Sequence, residues 1–307
     1  MPDQSRLEAY EAAVRKLLAQ NGPMLGKELA QALPEIPRLQ LWQVCFSSEQ
    51  LQISHFATYY LRYDITREDE VRLSPSILRD FLSFTLFSLP NQRRKLIERQ
   101  GGISNLHREI SLKKIALARQ VMQAILAQLP LETKQYLCAF IAGDLAYFLA
   151  HDEPREVQSI GEIVRGSDID IIIVHDALPQ AIIDMIEVEM RRHKLYFLRH
   201  PDHRQELDYI CKSKKKMYSQ LRYGDIHEKI ASKIAYESMF LGGSLELYMS
   251  VRDELVSSGV QELIEQDFQK ALLQRRSAMR TLIGIPDSLD DNTRSLFYFS
   301  QERVEFS

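Results

Sequence analysis

An unbroken β-branched run, Ile171-Ile172-Ile173-Val174, follows two acids one residue apart in Arg165-Gly166-Ser167-Asp168-Ile169-Asp170. Branched residues in succession favour a strand, and apolar side chains on both of its faces require a sheet that is covered on both sides. Successive side chains on a strand alternate, so Asp168 and Asp170 point the same way. Two carboxylates at the mouth of a doubly buried strand carry an electrostatic cost that a shared cation removes. The spacing therefore points to a divalent-metal site. The plainer alternative is a Gly-Ser-Asp turn that merely opens a buried strand.

With 307 residues the chain can bury a sizeable core and hold two or three domains. A content of 45% hydrophobic and 26% charged residues is that of an ordinary globular protein. No apolar run approaches the ~18 residues of a membrane span. The start Met1-Pro2-Asp3-Gln4 opens no signal-peptide core, so a cytoplasmic location without a membrane partner is expected. Cys45, Cys138 and Cys211 are odd in number and far apart, which argues for a reducing compartment and buried apolar roles. A net charge of -3 excludes coating nucleic acid by global attraction and leaves room for local basic patches.

The first third reads as mainly helical. Leu7, Ala12, Val14, Leu17 and Leu18 share a rough helical face that Asn21-Gly22-Pro23 ends. A short helix from Gly26 to Leu33 and a third from Leu39 to Phe46 follow, then strand character at His55 to Tyr63 and Glu70 to Leu73. This order resembles a winged helix-turn-helix, which implies contact with RNA or DNA. A helical packing domain with no such contact is the alternative. Trp42, Tyr59, Tyr60 and Tyr63 read as core. Ser74-Pro75 predicts a capped helix through Ile77, Leu78, Phe81, Leu82 and Phe84 that ends at Leu89-Pro90. The basic stretch from Asn91 to Arg119 reads as a solvated face, and a long helix is expected from Ser104 to Ala127.

A second domain begins with an apolar strand, Tyr136 to Ala142, broken by Gly143-Asp144 and followed by a helix from Leu145 to Leu149. A looped insert over 151–165 leads to the acidic strand, after which come a helix from Leu178 to Arg192 and strands at Leu195 to Leu198 and Glu206 to Cys211. Asp208 is a third acid within an apolar strand, unless Glu206 and Asp208 simply line a wet edge. If the two acidic strands pair, three carboxylates share a pocket and need cations to offset their repulsion.

These residues resemble the nucleotidyltransferase superfamily, the polymerase-beta-like enzymes, over roughly residues 133–260. Gly143 matches the family's glycine turn, Asp168 and Asp170 its carboxylate pair, and Asp208 its third acid. The resemblance implies Mg²⁺ or Mn²⁺ held by Asp168, Asp170 and Asp208. It also implies two-metal phosphoryl transfer from an NTP substrate, with Asp208 helping to deprotonate the acceptor hydroxyl. Gly166 and Ser167 would add nucleotide contacts, and Lys229 or Lys233, four apart on one helix face, would reach the triphosphate. Two departures stand out. Asp144 replaces the family's Ser or Gly, and 25 residues separate Gly143 from Asp168, so 151–165 is expected to be an inserted loop. The cluster Lys212, Lys214, Lys215 and Lys216 is expected beside the site, steering anionic substrate.

The expected architecture is α+β in three consecutive parts. Residues 1–130 form a helical domain, 131–218 a transferase core with a small mixed sheet, and 219–307 a C-terminal helical bundle that Pro286 ends. Function is expected to be transfer of a nucleoside monophosphate to a hydroxyl of RNA, a nucleotide or a protein. Such a layout would suit bacterial stress or phage defence by association of architecture alone. The competing class is a nucleic-acid-binding regulator in which the transferase fold serves as a nucleotide sensor. A zinc site from His193, His200, His203 and Cys211 fits no standard spacing.

Overall fold

A computed structural model describes residues 4–63, 70–157, 161–285 and 291–299. The protein is of the α+β class, with helices and separate small sheets. The described residues divide into two compact units, one of 4–62, 71–105, 268–285 and 291–299 and the other of 63, 70, 106–157 and 161–267. This division does not follow the expected boundaries at 130 and 218, because the apolar side chains of residues 278–285 pack into the core of the N-terminal residues. The expected stop at Pro286 lies outside the described residues.

In the first unit the chain runs through α1 (Gln4–Asn21), β1 (Met24–Leu25), α2 (Gly26–Ala32), α3 (Arg38–Ser47) and β2 (Gln52–His55). Strands β3 (Tyr60–Tyr63) and β4 (Val71–Ser74) form a two-stranded ribbon. The single strand expected over 55–63 is thus two, separated by residues 56–59. Ser76, not Ser74, caps the one-turn helix α4 (Ile77–Arg79): Ser74 still belongs to β4, whereas the Ser76 hydroxyl accepts the Arg79 N–H. The helix widens into a π-helical turn over Asp80–Phe84 and gives way to β5 (Thr85–Ser88). Helix was expected to run on toward Leu89. Instead the fully buried Thr85, Leu86, Phe87 and Ser88 pair antiparallel with β1 on one side and β2 on the other, giving the order β1-β5-β2.

Residues 39–45 of α3 are all buried, Trp42 completely. The Gln43 amide donates to the carbonyls of Leu282 (2.7 Å) and Ile285 (3.0 Å), and the Trp42 ring meets Phe297 edge-on. One charged network ties this unit together. Asp80, 5% exposed, accepts from the Tyr59 hydroxyl (2.7 Å) and Arg275 (2.6 Å), and His55 Nε2 lies 2.8 Å away. Arg275 also donates to the Pro75 carbonyl at 2.8 Å. Burial alone would raise the Asp80 pKa; the bonds from His55, Arg275 and Tyr59 outweigh it and hold the carboxyl below its usual range.

The long helix α5 (Arg93–Gln128) runs through Gly101-Gly102 without a break, eleven residues earlier than expected, with Leu96 and Ile103 packed on Leu25 and Leu86. Its later turns face the second unit's core. There β6 (Leu137–Ile141) leads through a single 3-10 turn at Gly143–Leu145 to the hairpin β7 (Pro154–Val157) and β8 (Glu162–Arg165), where a helix and then a loop were expected. Next come β9 (Ile169–His175), α6 (Gln180–Arg199) and β10 (Leu207–Ser213). The expected strand at Leu195 to Leu198 lies inside α6, whose residues there alternate in helical fashion: Leu195 and Tyr196 are about half exposed, Phe197 and Leu198 buried. Then follow α7 (Lys214–Gln220), α8 (Ile226–Glu237), β11 (Met239–Gly243), α9 (Leu245–Ser257), α10 (Val260–Ile283) and α11 (Asp291–Phe297).

The second unit's sheet is mixed, in the order β10-β9-β6-β11. Strands β9 and β10 are parallel, and β6 is antiparallel to both β9 and β11. Strand β11 interrupts the helical bundle expected after 219. Ile169, Ile171 and Ile173 pack on Ile115, Val121 and Met122 of α5 and on Ile186 and Met190 of α6. The even positions, beginning with the acids, take the other face, where the Phe140 ring packs against Tyr248 of α9 at 5.7 Å. No helix among the described residues is long and apolar enough to cross a membrane.

Replacing Arg275 with Met should cost about 3 kcal/mol in urea unfolding at pH 7, because it leaves a buried carboxylate short of its main counter-charge. The Asp80 pKa is depressed in the fold, so its contribution is present above the unfolded value of about 3.9 and lost as pH falls through the folded one. The gap between the wild type and the variant should therefore shrink in strong acid.

Candidate metal centre

Strands β9 and β10 pair with Ile169 opposite Leu207 and Asp170 opposite Asp208. Neighbouring residues in register project to the same face, so Asp208 joins Asp170 and Asp168. One carboxylate oxygen from each lies within 4.8 Å of those from the other two, and this is the group of three or more metal-type donors found among the described residues. All three side chains are partly exposed. The sequence expectation that Asp208 would meet the pair is met by this register.

Burial and mutual repulsion together act on these acids. Asp170 has its pKa raised well above the usual carboxylate range, first by burial and then by Asp168 and Asp208; Lys233 opposes the shift and Asp144 adds to it. Three cations from three different elements ring the acids. Arg155 on β7 sits 3.9 Å from Asp168, donates to Glu206 at 2.6 Å, and donates through Nε to the Gly166 carbonyl at 2.7 Å. Lys194 on α6 pairs with Asp208. Lys233 on α8 acts on Asp170 and bonds Glu237 at 2.7 Å. Neither Arg155 nor Lys194 carries a local sequence signal; only the folding of the 151–165 insert as a hairpin and the length of α6 bring them here.

The turn that presents Asp168 is built from within. Gly166 has φ +62, and a Cβ there would lie 1.6 Å from the His151 carbonyl oxygen, so only glycine fits. The Gly166 N–H donates to Glu153 (2.9 Å) and the Ser167 N–H to His151 (3.1 Å). The Ser167 hydroxyl donates to Asp144 at 3.2 Å and receives the His151 N–H at 3.3 Å. These two residues therefore shape the turn, with their polar groups engaged inside the chain. Asp144, the departure noted in the sequence, is held by that hydroxyl beside the acids. Lys114 of α5, 2% exposed, completes the scaffold: its ammonium donates to the carbonyls of Arg165 (2.8 Å) and Ser167 (2.7 Å) and to the Gln205 side chain, clasping the starts of both acidic strands. Burial pushes its pKa down to about 8, against the pull of Asp152 and Asp168.

Of the remaining expected residues, Gly143 (φ +71) comes close, since a Cβ there would lie 3.9 Å from an Asp170 oxygen. Its N–H donates to Glu237 at 3.0 Å, the same carboxylate oxygen that Lys233 holds. Burial raises the Glu237 pKa, opposed by Lys233, the Gly143 N–H and Tyr147. Lys229, one helical turn before Lys233, lies 5.4 Å over the Tyr223 ring instead. The basic cluster at 212–216 is a correction. Parallel pairing sets Lys212 opposite Val174, four residues beyond the acids and so about 13 Å along the strand at ~3.3 Å per residue. Lys212 bonds Gln220 (3.0 Å) and Lys214 pairs with Asp176 (3.5 Å) there.

Three clustered carboxylates are hard oxygen donors of the kind that Mg²⁺ and Mn²⁺ favour, and a divalent ion among them would offset the burial and mutual repulsion that raise the Asp170 pKa. The site thus fits a divalent ion. Compared with protein-family models, with curated proteins and with solved structures, the chain matches none.

Because the ionised form of Asp170 is disfavoured in the fold, Asp170→Asn should stabilise the metal-free protein at pH 7, raising Tm by about 2–4 °C. Adding Mn²⁺ should raise the wild-type Tm but leave the variant nearly unmoved. A variant that melts lower than the wild type without metal would contradict the repulsion described here.

Proposed function

We propose that the protein is a Mg²⁺- or Mn²⁺-dependent nucleotidyltransferase that moves a nucleoside monophosphate from NTP to a hydroxyl of RNA, a nucleotide or a protein. The observation that carries this reading is the parallel register of β9 and β10, which gathers Asp168, Asp170 and Asp208 within 4.8 Å at one edge of a small mixed sheet. That sheet and the glycine turn after β6 support a transferase core over about residues 131–243. The order α1, β1, α2, α3 with a β1-β5-β2 sheet supports a winged helix-turn-helix arrangement in the N-terminal residues.

In the reaction the acceptor oxygen attacks the α-phosphorus, the bond from that phosphorus to the β-phosphate oxygen breaks, and pyrophosphate leaves. Asp168, Asp170 and Asp208 would hold the metal, which when bound supplies charge stabilisation at the attacking and leaving oxygens. Asp208 takes the acceptor proton. Lys114 and the Gly166 turn keep the two acidic strands aligned, so that the carboxylates meet substrate without first rearranging. Arg155 and Lys233 limit the repulsion among the acids.

One observation bears on the competing regulator reading. A helix-turn-helix of that kind reads DNA with the exposed face of its third helix, whereas residues 39–45 of α3 are buried and Gln43 is bonded to residues 282 and 285. This weighs for the enzyme and against major-groove reading by α3.

The test is incubation with Mn²⁺ or Mg²⁺ and each labelled NTP, with and without total RNA, beside an Asp168→Ala, Asp170→Ala double variant. Label transfer or pyrophosphate release should fall by about a thousandfold or more in the variant, since a metal centre is worth several kcal/mol of barrier. Turnover that persists in the variant, or metal binding by the wild type with no turnover on any NTP, would refute the transferase.

A further inference from the structure

Resting on the reading of the acidic triad as a divalent-metal centre, we propose that Lys194 is a resident counter-cation that leaves Asp208 when metal binds and then contacts the polyphosphate of the substrate. The three cations around the acids differ in what else holds them. Arg155 is anchored to Glu206 and to the Gly166 carbonyl, and Lys233 to the buried Glu237. Both therefore have partners outside the triad. Lys194 has Asp208, a metal ligand in this reading, as its recorded partner among the described residues.

The Lys194–Asp208 pair is about two-fifths exposed on both sides, which is the class of ion pair that contributes little and exchanges readily. A divalent ion drawing on Asp168, Asp170 and Asp208 therefore displaces it without a large penalty. The freed ammonium stays on its four-carbon stem beside α6 and cannot go far. There it faces a dication, an arrangement that is unfavourable unless an anion sits between the two. A phosphate chain bound to the metal is such an anion, and a mobile point charge with three donors suits it. The backbone N–H of Gly143 and the ammonium of Lys233 already serve the Glu237 carboxylate, which leaves Lys194 as the cation beside the triad that binding sets free. Nothing adjacent in sequence marks Lys194; it lies 14 residues before Asp208 on the crossover helix.

The experiment compares the full chain with Lys194→Met and Lys194→Arg. Mn²⁺ affinity is measured by electron paramagnetic resonance without nucleotide, and binding of inorganic tripolyphosphate is measured by calorimetry in saturating Mg²⁺. Lys194→Met should bind Mn²⁺ about 3- to 10-fold more tightly, since a competing cation is gone, and tripolyphosphate about 5-fold or more weakly. Lys194→Arg should stay near the wild type in both, and the melting temperatures of all three should agree within a few degrees. Unchanged or weaker Mn²⁺ binding in Lys194→Met overturns the counter-cation role, and unchanged tripolyphosphate binding overturns the phosphate contact. If the wild type itself shows no Mn²⁺ binding that Asp170→Asn removes, the triad reading fails, a result separate from either.

Discussion

The parallel pairing of β9 with β10 is the constraint on which the rest of the second unit depends. Parallel neighbours need a crossover, and the 20-residue helix α6 provides it while covering one face of the sheet with Ile186, Met190 and Phe197. The register follows from that packing: a slip of one residue would turn Ile169, Ile171 and Ile173 out of the core and the acids into it. The same apolar alternation that buries three isoleucines thus aligns Asp170 with Asp208. Metal-type geometry is a by-product of hydrophobic register.

Holding three carboxylates together works against the fold, and the unit answers from several directions. Lys114, from a helix at the back of the sheet, spends all its hydrogen bonds on the two strand starts and stays buried to do so. Hydrogen bonds from a charged donor are stronger than those between neutral groups, so the clasp holds the strand starts firmly. Arg155, Lys194 and Lys233 then divide the charge among them. Carboxylates gathered in this way cost the fold stability that these cations only partly return.

The first unit is organised around a different buried charge. Asp80 sits at the π-helical turn and receives Tyr59, His55 and Arg275, so that a residue near the C-terminal end of the chain locks a turn in its first third. The packing of Phe297 on Trp42 and the bonds from Gln43 cover the helix that a DNA reader would leave open. Sequence order alone suggests a winged domain; burial decides which of its faces reach solvent.

What the chain's order of residues determined is local: the doubly apolar strand at 169–175, the short helices α2 and α3, the glycine turn after β6, and the placing of Asp168 and Asp170 on one face of their strand. Periodicity and turn chemistry report on neighbours in sequence, and these features need nothing more. The run Leu195 to Leu198 misled because four apolar residues suit strand or helix equally, and Thr85 to Ser88 because its partners, β1 and β2, lie 30 or more residues away. The hairpin of the 151–165 insert, the place of Lys212 far along the strand, and the arrival of Arg155, Lys194 and Lys114 at the acids were decided by tertiary structure. Charge complementarity acts through space, and a lysine on a helix reads the same in sequence whether it meets water or a carboxylate.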